Sequence, residues 1–149
     1  MSELNDAKKE VSDACNVVAN AGLTELYAGH VSSRIGDIAL IPAHLHHEGR
    51  GMESMTPEQI ISVNLKTGEQ DPKELELPEE DTIHTSIFAV REDVKSCVHA
   101  HPVHATALSM TNSSIIPASI RAVRLGEVPV HDAGPMLIEA NAPDVVAQG

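Results

Sequence analysis

The interior of this chain has to be built almost without aromatic rings. Tyr27 and Phe88 are its only Tyr and Phe, and it has no Trp. Hydrophobic residues still make up 42% of the sequence, so burial falls to Val, Ile, Leu, Ala and Met. Aliphatic strands and Ala-rich helices can supply such a core. A chain of 149 residues is long enough for one domain with a real core and is not expected to hold two.

The pattern along the chain alternates between the helical and the extended period. Ala7, Val11, Ala14, Val18 and Ala21 fall on one stripe of a helix over residues 5–21, with Gly22 as its stop. Two short strands are expected around Gly36-Asp37, a hairpin signal. The stretch AHLHHEGRGMES reads as a polar loop. Thr56-Pro57-Glu58 resembles an N-cap with Pro in the first turn of a short helix ending near Ile61. SVNLKTGEQD reads as a strand running into a turn. A second long helix opens at Pro78-Glu79-Glu80-Asp81, whose acids suit the positive end of a helix dipole, and continues to about Val90. DVKSCVHAHP then reads as a buried strand closed by Pro102. Residues 103–111 are expected to be helical, IIPASIRAV and GEVPVHD short extended pieces, and a last helix begins around Asn141 and Pro143. This order gives an α/β or α+β sandwich. The ending inside a short helix leads us to expect a domain that continues past Gly149.

Charge narrows the function. The net charge is −12 with the histidines neutral, and no Lys/Arg cluster stands out. Nucleic-acid binding leans on cationic contacts to phosphates, so that class is disfavoured, as are anionic membrane surfaces. No apolar run approaches the ~20 residues of a membrane span, and the first residues lack the apolar core of a signal peptide. Cys15 and Cys97 lie far apart and form no CxxC pair, so they read as reduced thiols of a cytoplasmic protein.

The segment CVHAHPVH carries the chemistry. In a strand, residues at i and i+2 face the same way, so His99 and His101 would project side by side. Two neutral imidazoles so placed can bind one divalent metal, or can be polar residues packed in a strand. His104 lies past Pro102 and its direction is open. Glu80 and His84 are spaced i, i+4 on the preceding helix. A carboxylate there can serve as a ligand or a general acid/base, or simply as a helix N-terminal acid beside a buried His.

These residues resemble the class II aldolase/adducin domain over roughly residues 7–149. YAGHVSSRI is similar to that family's Gly-Asn-x-Ser substrate loop, and TPEQIISVNLKTGE to a second stretch. The most specific match is PEEDTIHTSIFAVREDVKSCVHAHPVHATALS, with Glu-x3-His followed by H-x-H-P. The resemblance implies an α/β/α sandwich with a central, mostly antiparallel sheet. It implies His99 and His101 as ligands of a divalent metal, usually zinc, though manganese, magnesium, iron or cobalt suit the same donors. Glu80 falls on the catalytic acid/base, and Gly29, His30 and Ser32 on the substrate loop. A homotetramer with the active site between subunits is implied too.

Three departures from the pattern matter. A third His ligand is expected beyond Gly149, and His131 comes too early to align with it. Pro78 and Glu79 stand where phosphate-binding serines usually precede the catalytic Glu, and Glu79 would repel a phosphate. The Thr/Ser-Gly phosphate loop is replaced by one bearing His44, His46, His47 and Arg50, which suits a carboxylate or hydroxyl group if it is more than a solvated loop. His30 stands where Asn is usual, as a polar substrate contact or as loop packing. The expected function is therefore a metal-dependent lyase acting on a small, non-phosphorylated hydroxy or oxo acid through a metal-stabilised enolate, with decarboxylation favoured over aldol cleavage. The alternatives are a sugar aldolase or epimerase and a non-catalytic, adducin-like binding module.

Overall fold

The computed structural model describes residues 3–25, 28–45, 51–111, 113–124, 126 and 128. His46, His47, Arg50 and His131 lie outside them, as do most of GEVPVHD and the last expected helix.

Helix α1 (Glu3–Asn20) buries Ala7, Val11 and Cys15, with Ser12 beside them. Ala14 and Val18 pack against the same core, so the stripe runs as its spacing predicts; Ala21 falls past the last turn and is exposed. Strands β1 (His30–Ile35), β2 (Ile38–Pro42), β3 (Ile60–Asn64), β4 (Gln70–Asp71) and β5 (Ser96–His99) form one sheet in the order β4-β3-β2-β1-β5. Every pair is antiparallel. Gly36-Asp37 makes the expected two-residue turn between Ile35 and Ile38. Gly36 takes φ +57°, which a tight hairpin turn demands and glycine accepts without strain.

Central strand β2 is the core's axis: Ala39, Leu40 and Ile41 are each 0% exposed. The connection from β2 to β3 departs from a solvated loop. Ala43, Leu45, Met52 and Met55 are all buried in the core, and the Asn16 amide of α1 both donates to the Met55 carbonyl (3.1 Å) and accepts from its N–H (2.7 Å). The alternation of apolar residues with His, Glu and Gly had masked this burial. The helix expected from Thr56 is shorter than predicted, a single 3-10 turn over Pro57–Gln59 with a Thr56/Gln59 capping box. It stops because Ile60 and Ile61 enter β3, where their side chains are fully buried.

Helix α2 (Asp81–Val90) lies against the sheet face that carries His30, Ser32 and Arg34: His84 bonds Ser32, and Arg34 donates to the Phe88 carbonyl (2.6 Å). Alternation along a strand sends Val31, Ser33 and Ile35 to the opposite face, which α1 covers. The two helices thus sandwich the sheet. β5 is a correction. It was expected to be buried, yet Ser96 and Val98 are exposed and Cys97 and His99 only half-buried, because β5 is the edge of the sheet among the described residues. Helix α3 (Val103–Ser109) follows Pro102 as expected. Residues 120–123, expected to be extended, are a one-turn helix α4 (Ile120–Val123), capped by the Ser119 hydroxyl accepting from the Ala122 N–H. That cap outweighs the β-branched residues that suggested a strand. No described helix is long and apolar enough to cross a membrane.

Candidate metal centre and active site

The site begins with strand register. β1 and β5 pair so that His30 stands directly opposite His99, and Ser32 opposite Cys97. Opposed residues of an antiparallel pair share a face, so two imidazoles are brought together by the ladder itself. Gly29 makes the approach possible. Its φ is +92°, and a Cβ there would meet Thr24 Cγ2 at 3.0 Å and the His99 carbonyl oxygen at 3.1 Å. Only glycine fits both the left-handed conformation and the contact. His101 lies two residues past His99, anchored by its N–H donating to the Leu23 carbonyl (2.8 Å). Its Nε2 stands 2.9 Å from the Nε2 of His99.

α2 completes the cluster from above. Glu80 occupies its N-cap and places Oε2 3.8 Å from His30 Nε2. One turn on, His84 Nε2 lies 2.6 Å from His30 Nδ1, and His84 Nδ1 lies 2.6 Å from the Ser32 hydroxyl. The i, i+4 spacing of Glu80 and His84 thus lets one helix face meet His30 at both ring nitrogens. Ring centroids separate His30 from His84 by 4.7 Å, His30 from His99 by 5.1 Å and His99 from His101 by 4.8 Å.

His30 and His84 are 0% exposed, and the surroundings keep both neutral. Burial, joined by His99 and His101, pushes His30 down to about 4 against the opposing pull of Glu80. Burial, then His30 and His99, takes His84 to about 3. His99 is lowered by burial and by His101, with Glu80 acting the other way. Two nitrogens, His30 Nε2 and His99 Nδ1, are buried without a hydrogen-bond partner among the described residues. Such an orphan costs about 1–3 kcal/mol, so His30 Nε2, which faces the Glu80 carboxylate, is open to a ligand; the His99 nitrogen that faces His101 is the other one, Nε2.

A divalent cation fits. One nitrogen from each of His30, His84 and His99 lies within 4.8 Å of the others. His84 already has both nitrogens engaged, and two further donors adjoin the group pairwise, His101 beside His99 (2.9 Å) and the Glu80 carboxylate beside His30 (3.8 Å). With metal–nitrogen bonds of about 2.1 Å, neighbouring ligands of a tetrahedron or octahedron stand about 3.0–3.4 Å apart. The 2.9 Å between His99 and His101 approaches that edge. Neutral imidazoles with a carboxylate suit zinc and its first-row neighbours.

Of the residues expected from sequence, Glu80, His99, His101, Gly29 and His30 converge. Ser32 faces the same way, but its hydroxyl is fully buried against His84. His104 is exposed on α3, and the His44 N–H donates to the Glu76 carbonyl (2.8 Å). The tie of His84 to both His30 and Ser32 went unseen in the sequence; only its spacing from Glu80 hinted at it.

The class II aldolase and adducin N-terminal domain profile matches residues 9–148, and the chain belongs to that family. The 3,4-dihydroxyphthalate decarboxylase of Arthrobacter keyseri is 32% identical over 138 residues, covering 86% of this chain and 56% of that protein. The L-fuculose phosphate aldolase of Escherichia coli is 32% identical over 114 residues, covering 76% of this chain and 50% of that one. The chain therefore spans about half the length of these relatives. Among solved structures, YgbL of Escherichia coli superposes with a TM-score of 0.74 over 98% of this chain and 72% of its own, at 20% identity, a likeness of fold.

Proposed function

We propose that this protein is a divalent-metal-dependent carbon–carbon lyase acting on a small, non-phosphorylated hydroxy or oxo acid, with decarboxylation favoured over aldol cleavage. The observation that carries the reading is the Glu80 carboxylate, 3.8 Å from an orphaned imidazole nitrogen, beside the facing nitrogens of His99 and His101. His99 and His101 would hold the cation, zinc being the best fit. When bound, it supplies Lewis acidity for charge that develops on a carbonyl oxygen.

The protein's own residues account for the rest. In decarboxylation, the C–C bond to the departing CO2 breaks and its electron pair stays on carbon. The Glu80 carboxylate, having first taken the proton of a substrate hydroxyl, then delivers that proton to the carbon. In aldol cleavage the same carboxylate would take the proton of the substrate hydroxyl. Glu79, exposed immediately before Glu80, sets a negative charge where a phosphate would otherwise approach, which favours a non-phosphorylated substrate. The match to a decarboxylase supports decarboxylation. The binding-module alternative is disfavoured because a scaffold gains nothing from orphaned buried imidazoles. We read the assembly as a homo-oligomer, a tetramer by family resemblance; exposed Val98, Val103, Met110 and Ile120 support an apolar contact.

The test is to load the protein with zinc or manganese and supply a panel of dihydroxy-aromatic acids. CO2 release that disappears in Glu80→Gln is the expected result. Aldol cleavage of a sugar substrate with no CO2 from any acid would sink the decarboxylase assignment.

A further inference from the structure

His30, His84 and Ser32 form a continuous buried chain that the catalytic reading leaves unused. Ser32 Oγ and His84 Nδ1 are 2.6 Å apart, as are His84 Nε2 and His30 Nδ1. All three side chains are fully buried. At its far end the chain leaves a single nitrogen, His30 Nε2, with no partner among the described residues.

The protons in this chain can run in only two directions. In one, Ser32 donates to His84, His84 donates to His30, and His30 is left with an Nε2–H. That proton would need an acceptor, but the nearest carboxylate oxygen, Glu80 Oε2, is 3.8 Å away, beyond hydrogen-bond range. It would also turn a positive dipole toward the nitrogens of His99 and His101. In the other direction His30 Nδ1–H donates to His84 Nε2 and His84 Nδ1–H donates to the Ser32 hydroxyl; this turns the Ser32 O–H away from His84, and His30 Nε2 presents a lone pair. A lone pair beside a carboxylate and two further imidazoles is satisfied by a cation. Metal-ligating histidines characteristically donate their second N–H to a fixed acceptor in this way.

We propose that His30 is a third imidazole ligand of the metal centre, and that His84 and Ser32 are positioning residues that hold its Nε2 lone pair toward the side of the Glu80 carboxylate. This rests on the metal-dependent reading above and goes beyond it. It moves His30 and Ser32 from substrate binding to metal binding, and it makes the β1–β5 strand pair, with the residues just after it, the source of three imidazole donors.

The experiment is long-range 1H–15N correlation spectroscopy of the histidine rings in the zinc-loaded chain, alongside zinc affinity and the visible spectrum of the cobalt-substituted protein. His30 is expected as the Nδ1–H form with its Nε2 resonance displaced by zinc, and His84 as the Nδ1–H form. His30→Asn should weaken zinc binding about tenfold or more and alter the cobalt bands. Ser32→Ala and His84→Gln should weaken zinc about 10–100-fold, the span for such outer hydrogen bonds, and Ser32→Thr should restore it. The wild-type spectra decide the question even where a variant fails to fold. Zinc uptake with a persistent His30 Nε2–H, or a cobalt spectrum unchanged in His30→Asn, would overturn the ligand assignment and leave the metal reading standing. Unchanged affinity and tautomer in Ser32→Ala would overturn the positioning role. No uptake of either ion by the wild type would overturn both the inference and the metal-dependent reading.

Discussion

Cys15 lies behind strand β1. Its Sγ accepts from the Val31 N–H (3.4 Å) and faces the Val31 carbonyl (3.7 Å), one residue from His30. Burial pushes its thiol up to about 11, with the Val31 contact acting the other way. The unfolded thiol ionises near 9 while the folded one keeps its proton to about 11, so the unfolded state binds fewer protons in between. Stability is therefore full below about pH 9 and falls as pH rises toward 11, by on the order of 2–3 kcal/mol. Denaturant titrations of wild type and Cys15→Ala across that interval should show the wild type losing more, and parallel curves would refute the assignment. At this scale the sequence was partly legible. His99 and His101 stood out as a pair two residues apart, although β5 ends at His99 and His101 is held beyond it by the Leu23 carbonyl, and Glu80 stood out through its i, i+4 spacing from His84. His30 stayed ambiguous because its neighbours, His84 and His99, lie 54 and 69 positions away, and only strand pairing and helix docking bring them near.

Two elements, β1 and α2, have to keep a fixed relation for the site to exist, and Arg34 ties them. Its guanidinium donates through Nε to the Gly36 carbonyl and through Nη1 to the Phe88 carbonyl, each at 2.6 Å. One side chain thus joins the hairpin turn to the last turn of α2. Hydrogen bonds from a charged donor contribute about 1.5–3 kcal/mol, so Arg34→Met should lower stability by about that amount. It should also weaken zinc binding modestly, because α2 carries Glu80 and His84. Thermal unfolding and zinc titration of the variant check both, and an unchanged melting temperature would refute the tie. The elements themselves were mostly readable: both long helices and the hairpin obey local periodicity and turn chemistry. Misreadings occurred where tertiary burial or a cap outweighed local pattern, as at Leu45, the 3-10 turn over Pro57–Gln59, and α4.

For the whole molecule, sandwich architecture followed from the alternation of elements, whereas sheet order did not, since no local signal says that β1 pairs with β5. The described surface after residue 90 is unusually apolar: Val103 is 72%, Met110 83% and Ile120 87% exposed. Light scattering across a concentration series should give a multiple of the 15.9 kDa chain mass, and Met110→Glu with Ile120→Glu should reduce it. A monomer throughout would refute the homo-oligomer. The β1–β5 ladder also governs how this protein could change. Successive residues of β1 serve the histidine cluster and the opposite, α1-covered face in strict turn, so one inserted or deleted residue would exchange the two sets. New chemistry is thus reachable by swapping side chains at fixed strand length. A gene library that varies length in β1 would mostly return chains with neither a core nor a histidine cluster.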